Sequence, residues 1–112
     1  MKLPNAERAI VDLAKLTDYC LNSQYEFGKH KARVFESALG LTRADAAFLC
    51  KQLLAAASGD AAEVGRTEFG VLYVIDFEIR TSLAEATIRS GWIVSRGEEF
   101  SRLTTCYVKR NS

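Results

Sequence analysis

Apolar and polar positions along this 112-residue chain repeat with two different periods, and the change comes near Gly59. Before it the spacing is helical. Leu13, Leu16 and Cys20 fall on one stripe, which predicts a helix over residues 13–21, broken by Asn22 and Ser23. Upstream, Ala9 to Val11 reads as a short extended piece or as the start of that helix, and "SQYEFG" reads as a loop ending at Gly28. A second helix is expected from Lys29 to Leu39, with Val34, Phe35, Ala38 and Leu39 as its apolar stripe and Gly40 as its stop. Thr42, with Asp45 three residues later, is an acidic variant of the capping box. It opens a third helix, rich in Ala and Leu, whose buried face is expected to hold Phe48, Leu49, Leu53 and Ala56.

After Gly59 the period becomes two. In "FGVLYVIDFEIR" one face carries Phe69, Val71, Tyr73, Ile75, Phe77 and Ile79; the other carries Gly70, Leu72, Val74, Asp76, Glu78 and Arg80. "AEATIRSGWIVSR" and "RLTTCYVK" read as two further strands. "AAEVGRT" reads as a shorter one that pairs with the long strand through the turn at Glu68 to Gly70. Helices first and an antiparallel meander second make an α+β fold, with N-terminal helices packed on a C-terminal sheet of about four strands. The length suits one domain over residues 1–112, helical over about 5–58 and sheet over about 60–109. One helical layer covers one sheet face. The other is left for solvent, a partner or a substrate.

Composition narrows the function classes. Apolar residues make up 48% and charged residues 26%, as in an ordinary globular protein, and a formal net charge of +1 gives no general case for nucleic-acid binding. Any electrostatic argument must rest on local clustering. No apolar run approaches the roughly 18–20 residues needed to cross a bilayer, so no membrane role is expected. The start "MKLPNAERA" has no targeting core, and there is no internal repeat. Cys20, Cys50 and Cys106 form no C-x-x-C pair; their odd number suits a reducing cytosol and buried free thiols. One histidine rules out a multi-histidine metal centre, and no motif asks for a cofactor.

Local clustering does occur. "GKHKARVFESALG" places Lys29, His30, Lys31 and Arg33 in the first turns of the second helix. Cations there oppose the positive end of the helix dipole, at ~0.3–1 kcal/mol each when exposed. Beside the free amides of a helix start they would suit a phosphate. A solvated face paired with Asp18, Glu26 or Glu36 is the plainer alternative. At ~100° per residue Lys31 shares the side of Val34, Phe35 and Ala38. Its stem could cover Phe35 with the ammonium in water, or it could reach across to the sheet and hold an anion.

The sheet adds Arg89, Arg102, Thr104, Thr105 and Tyr107, with Thr105 and Tyr107 on one face of their strand and Thr104 and Cys106 on the other. Trp92 reads as a core anchor. Asp76 and Glu78 lack companions in a metal-binding spacing. Nucleophilic triads and phosphate-binding glycine loops find no support. Cleavage of an RNA phosphodiester needs a base for the 2′-hydroxyl, a cationic clamp and an acid for the leaving oxygen, and His, Lys, Arg and Tyr can fill these roles without metal.

The motif order "LPNAERAIVDLAKLTDYCLN", "KHKARVF", "ATIRSGWIV" and "GEEFSRLTTCYV", covering about Leu3 to Val108, resembles an uncharacterised bacterial domain family. Members are often encoded beside a small β-rich protein, an arrangement similar to toxin–antitoxin pairs. Helices followed by a meander also resemble the barnase-like, colicin-like and RelE-like ribonucleases, by analogy of fold. The resemblance places Lys31, Ala32, Arg33 and Phe35 on the helix, Arg89 and Trp92 on a strand, and Thr105 and Tyr107 on the last strand. His30 stands where relatives can carry a small residue, which shifts proton transfer toward Lys31 or Tyr107. It implies a cytoplasmic endoribonuclease toxin with an RNA substrate and a small antitoxin or immunity protein as partner. Arg33 and Arg89 would clamp phosphate, Lys31 would stabilise developing charge, His30 and Tyr107 would move protons, and Thr105 would orient the substrate. The other class left open is a non-catalytic binding module, an immunity or adaptor protein, docking through its free sheet face.

Overall fold

The structure, a computed structural model, describes residues 1–24 and 29–109. The loop expected to end at Gly28, and any pairing of Glu26, lie outside the described residues. Among the described residues three α-helices precede four strands. They are α1 (Leu13–Lys15), α2 (Lys29–Leu39), α3 (Ala46–Ala56), β1 (Ala62–Thr67), β2 (Gly70–Arg80), β3 (Glu85–Ser95) and β4 (Arg102–Val108). The strands form one antiparallel meander in the order β1-β2-β3-β4, so the fold is α+β as expected.

The N-terminal helix differs most from its expectation. After the three residues of α1 the backbone passes into a π turn, Leu16–Cys20, closed by the Leu21 N–H on the Leu16 carbonyl at 2.8 Å. A π turn holds an extra residue and rephases the stripe. Leu16 and Cys20 are buried, whereas Leu13 is 48% exposed. Before it, Ile10 forms a single parallel bridge with Arg102, so the stretch around Ala9–Val11 is the extended piece and not a helix start.

α2 has the expected bounds and ends at Gly40, whose φ of 72° needs a residue free of a Cβ clash. Its buried positions are Ala32, Phe35 and Leu39; Val34 and Ala38 are only half-buried. The Asp45 carboxylate accepts the Thr42 N–H at 2.8 Å, the capping contact expected before α3. α3 buries Ala46, Leu49 and Leu53, continued by Ala57, while Phe48 is 38% exposed and Ala56 half-buried. This helix is apolar on most sides, so its period alone does not single out the face.

In antiparallel pairs, residues directly opposite share a face. The rows Tyr73–Trp92–Leu103 and Ile75–Ser90–Cys106 therefore face the helices, and every one of these side chains is buried. Trp92 is the large anchor at 0% exposure. Its indole N–H donates to Ser90 Oγ at 2.9 Å, and the Ser90 hydroxyl donates to the Ile75 carbonyl at 2.8 Å. The serine thus satisfies the one polar atom of the tryptophan in an otherwise apolar layer.

Ser90→Ala strands the buried indole N–H and should cost about 2–3 kcal/mol in urea unfolding. Ser82→Ala, on an exposed turn, should stay within about 0.5 kcal/mol of wild type. Equal effects of the two substitutions would refute the role given to Ser90.

Candidate functional site

Among the described residues no helix covers the opposite sheet face. Its rows are Leu72–Ile93–Arg102, Val74–Gly91–Thr105 and Asp76–Arg89–Tyr107. The last row is held by charge. Arg89 grips Asp76 with two parallel bonds, Nε to Oδ1 at 2.9 Å and a terminal nitrogen to Oδ2 at 3.0 Å. Lys109 adds a bond to Oδ2, also at 3.0 Å. The Arg89 guanidinium, helped by Lys109 and opposed by partial burial, brings the Asp76 carboxyl down to about 2. The same pair, with Tyr107 beside it, holds Arg89 more firmly protonated than usual. Arg89 is thus spent largely on Asp76.

A second cluster sits where edge strand β4 meets the π turn and α2. The Lys31 ammonium donates to Tyr19 Oη at 3.0 Å and to Thr105 Oγ1 at 3.3 Å. It also lies 5.2 Å from the centre of the Tyr19 ring and 5.3 Å from that of Tyr107. A half-buried ammonium is costly unless its donors and its charge are met, and two hydroxyls with two ring faces meet them. Lys31 therefore does reach across to the sheet. Below this cluster Cys20 and Cys106 are both at 0% exposure. Hydrogen bonding from Cys106 outweighs burial and, with the Lys31 charge, draws the Cys20 thiol down to about 7, while the same contact pushes Cys106 up.

Close packing supports the edge. A side chain at Gly91 would meet Thr104 Oγ1 at 2.9 Å and Thr105 Cγ2 at 3.4 Å. The pairing shifts register there, so Thr104 bulges out of β4. Beside the bulge is an open depression of about 620 Å³ lined by Asp12, Ala14, Lys15, Asp18, Tyr19 and Thr104.

Of the residues expected to form one site, the structure brings together Lys31, Thr105 and Tyr107. Arg89 is the register partner of Tyr107 and sits close enough for Tyr107 to reinforce its charge, while its two parallel bonds go to Asp76. His30 and Arg33 are exposed on α2 and make no recorded hydrogen bond or ion pair among the described residues. Asp18, a suggested partner for the basic turn, pairs instead with Arg43 at 3.1 Å. Arg102 lies on the same sheet face, opposite Ile93 at the far end of β4, but it is bonded to Glu98 at 2.9 and 3.0 Å and stacked over Phe100 rather than joined to the cluster. Tyr19 is the member that sequence reasoning missed. Its only signal was its place beside Cys20, on a helix whose π turn no periodicity announced. Among the described residues no group of three or more His, Cys, Asp or Glu side chains gathers so as to hold a metal ion. No described helix is long and apolar enough to cross a membrane.

A family model described as a domain of unknown function, DUF6883, matches residues 2–110, and the chain belongs to that family. The motif order quoted above is thus that of an uncharacterised-domain family, as its resemblance implied. No curated protein and no solved structure matches the chain.

The depressed Asp76 carboxyl links stability to pH. A carboxyl with a lowered folded value stabilises above its unfolded value, here 3.8, and loses that contribution as pH falls toward about 2. Stability should therefore drop between about pH 4 and pH 2 more steeply in wild type than in Asp76→Asn. The pair is about one-third exposed, so screening keeps the effect to roughly 1 kcal/mol or less. Urea midpoints at constant ionic strength check this. Parallel pH profiles would count against the pairing.

Proposed function

We propose that the chain is a ribonuclease toxin domain acting on RNA phosphodiesters in the cytoplasm, with the Lys31, Tyr19, Thr105 and Tyr107 cluster as its reacting site. The observation that carries this reading is the convergence on one ammonium of side chains from the π turn, α2 and β4, with Lys31 and Thr105 hydrogen-bonded at 3.3 Å. Three hydroxyls gathered on one cation are what a phosphate diester and its transition state call for. Burial against protein raises the strength of such contacts over their value in water.

In this reading the 2′-hydroxyl oxygen attacks phosphorus and its proton passes to a non-bridging phosphate oxygen. The Lys31 ammonium meets the negative charge that grows on the equatorial oxygens. The 5′-oxygen leaves with the Tyr107 phenolic proton, and the phenolate recovers a proton from the phosphate. The products are a 2′,3′-cyclic phosphate and a 5′-hydroxyl end. Thr105 and Tyr19 orient the ammonium and the diester. His30 and Arg33, exposed on the same helix, fit the approach of the RNA chain better than the reaction itself. A small antitoxin or immunity protein would act by covering this edge.

A specific feature also favours the binding-module alternative. The uncovered sheet face presents Val64, at 59% exposure, with half-buried Leu72, Val74 and Ile93, and its charges are paired internally. A protein partner could dock there without any reaction.

Induction of the wild-type chain in bacteria under a tight promoter separates the two. Growth arrest with RNA fragments ending in cyclic phosphate is expected for wild type. Tyr107→Phe should cut RNA breakage by about 10²-fold or more, the usual scale for removing a general acid. Lys31→Gln should lower it as much, with circular dichroism checking that both variants fold. Normal growth and intact RNA with wild type would overturn the nuclease and leave the binding module.

A further inference from the structure

The helix α3 carries only two polar side chains, Lys51 and Gln52, in its 11 residues. A helix that is apolar nearly all round is normally covered on more than one side. Here one side is covered: Ala46, Leu49 and Leu53 are buried, continued by Ala57. Ala47, Phe48, Lys51, Leu54 and Ala55 form the other side, and all of them are exposed. Phe48 stands at 38% and Leu54 at 42%. The apolar surface continues beyond the helix, because Phe48 also lines a depression of about 390 Å³ with Leu41 and Leu83, and Leu83 is 70% exposed. Neither the Lys31 cluster nor the open sheet face uses these residues.

The exposed face is self-complementary about Lys51. At ~100° per residue Phe48 and Ala55 lie ~60° and ~40° to one side of it, and Leu54 and Ala47 lie at the same angles to the other. Each side thus holds one large and one small residue, at opposite heights along the helix. We propose that α3 is a dimerisation helix, packed antiparallel on α3 of a second copy of this chain across a two-fold axis at Lys51. Such an axis reverses height and keeps the side. Phe48 then packs on Ala55 of the second copy and Leu54 on its Ala47, each contact made once in each direction, as a closed isologous interface requires. The alanines let the helix axes approach to the ~8–10 Å of close-packed helices. An unrelated apolar partner would not call for this symmetry, so a second copy is the occupant. Lys51 faces Lys51 of the second copy; the stems cover apolar surface and the ammonium groups turn out to water, where like charges oppose each other weakly. Area sets the strength. The 11 residues make about 16 Å of helix, and a strip ~10 Å wide with the Leu83 turn offers roughly a few hundred Å² per copy, below the ~800 Å² of a standard interface. The dimer is therefore reversible, with a dissociation constant of about micromolar or weaker. The inference does not depend on the nuclease reading.

Sedimentation equilibrium of the full chain, loaded from about 10 μM to about 1 mM, should show a monomer–dimer equilibrium. Ala55→Arg puts a long cation where Phe48 of the second copy packs, and should raise the dissociation constant about tenfold or more. Ala55 is exposed in the single copy, so the variant should keep its fold, which circular dichroism checks. Val64→Arg, at an exposed apolar position on edge strand β1, should leave the constant unchanged. Lys51→Glu tests the axis without loss of packing. Each protein alone sets like charges there, whereas an equimolar mixture with wild type sets opposite ones and should associate about fivefold more tightly. High salt should shrink that preference. A wild type still monomeric at about 1 mM, an unchanged constant in Ala55→Arg, weakening by Val64→Arg, or equal association of mixed and single proteins would each overturn the proposal.

Discussion

A four-stranded sheet has two faces, and the helices of this chain cover one. Most of what the molecule presents follows from that constraint. The covered face is apolar and closes around Trp92 at 0% exposure, with Ser90 supplying the single polar partner that the layer demands. The open face cannot be apolar throughout without inviting association. It carries Leu72, Val74 and Ile93 at its middle and the Asp76–Arg89–Lys109 network beside them. Two parallel bonds fix the Arg89 plane, so the charge is ordered as well as neutralised.

The two faces meet at the β4 edge, and the unusual chemistry of the chain collects there. An edge strand leaves backbone groups and side-chain flanks to be covered. Here Ile10 bridges the start of β4, while the π turn and α2 close over its remainder. A lysine suits such a boundary, with a long apolar stem for the packed side and a charged head for the wet one. Lys31 does not run straight to water. Tyr19, Thr105 and Tyr107 capture its head on the way, which leaves a cation held in one place, and of these three Tyr19 also lines the open depression. Cys20 and Cys106, the sequence neighbours of Tyr19 and Thr105, belong to the buried core beneath it.

Much of this was legible in the residues. Period-two alternation from Val71 to Ile79 marks β2 because one face of a sheet is buried and the other is not, and the strand adopts that pattern. Gly40, with φ 72°, and the Thr42–Asp45 cap are local chemistry, and local chemistry survives in the fold. Phe48 was misassigned because α3 is apolar nearly all round, so that several faces satisfy the period equally. Leu13 was misassigned because a π turn changes the phase of a helix without changing its composition.

The site divides along the same line. The sequence determined which residues have the chemistry: Lys31 on the margin of a buried stripe, Arg89 on a strand, Thr105 and Tyr107 on one face of another. Spacing within one element is set by backbone period, and period can be read directly. Which of these side chains meet was decided only by the tertiary structure. Arg89 turned to Asp76 because antiparallel register put a carboxylate directly opposite. Lys31 found Tyr19 because a π turn and a helix pack on the same strand edge. Contacts of that kind depend on register and on packing between elements, and neither is encoded in the period of any one of them.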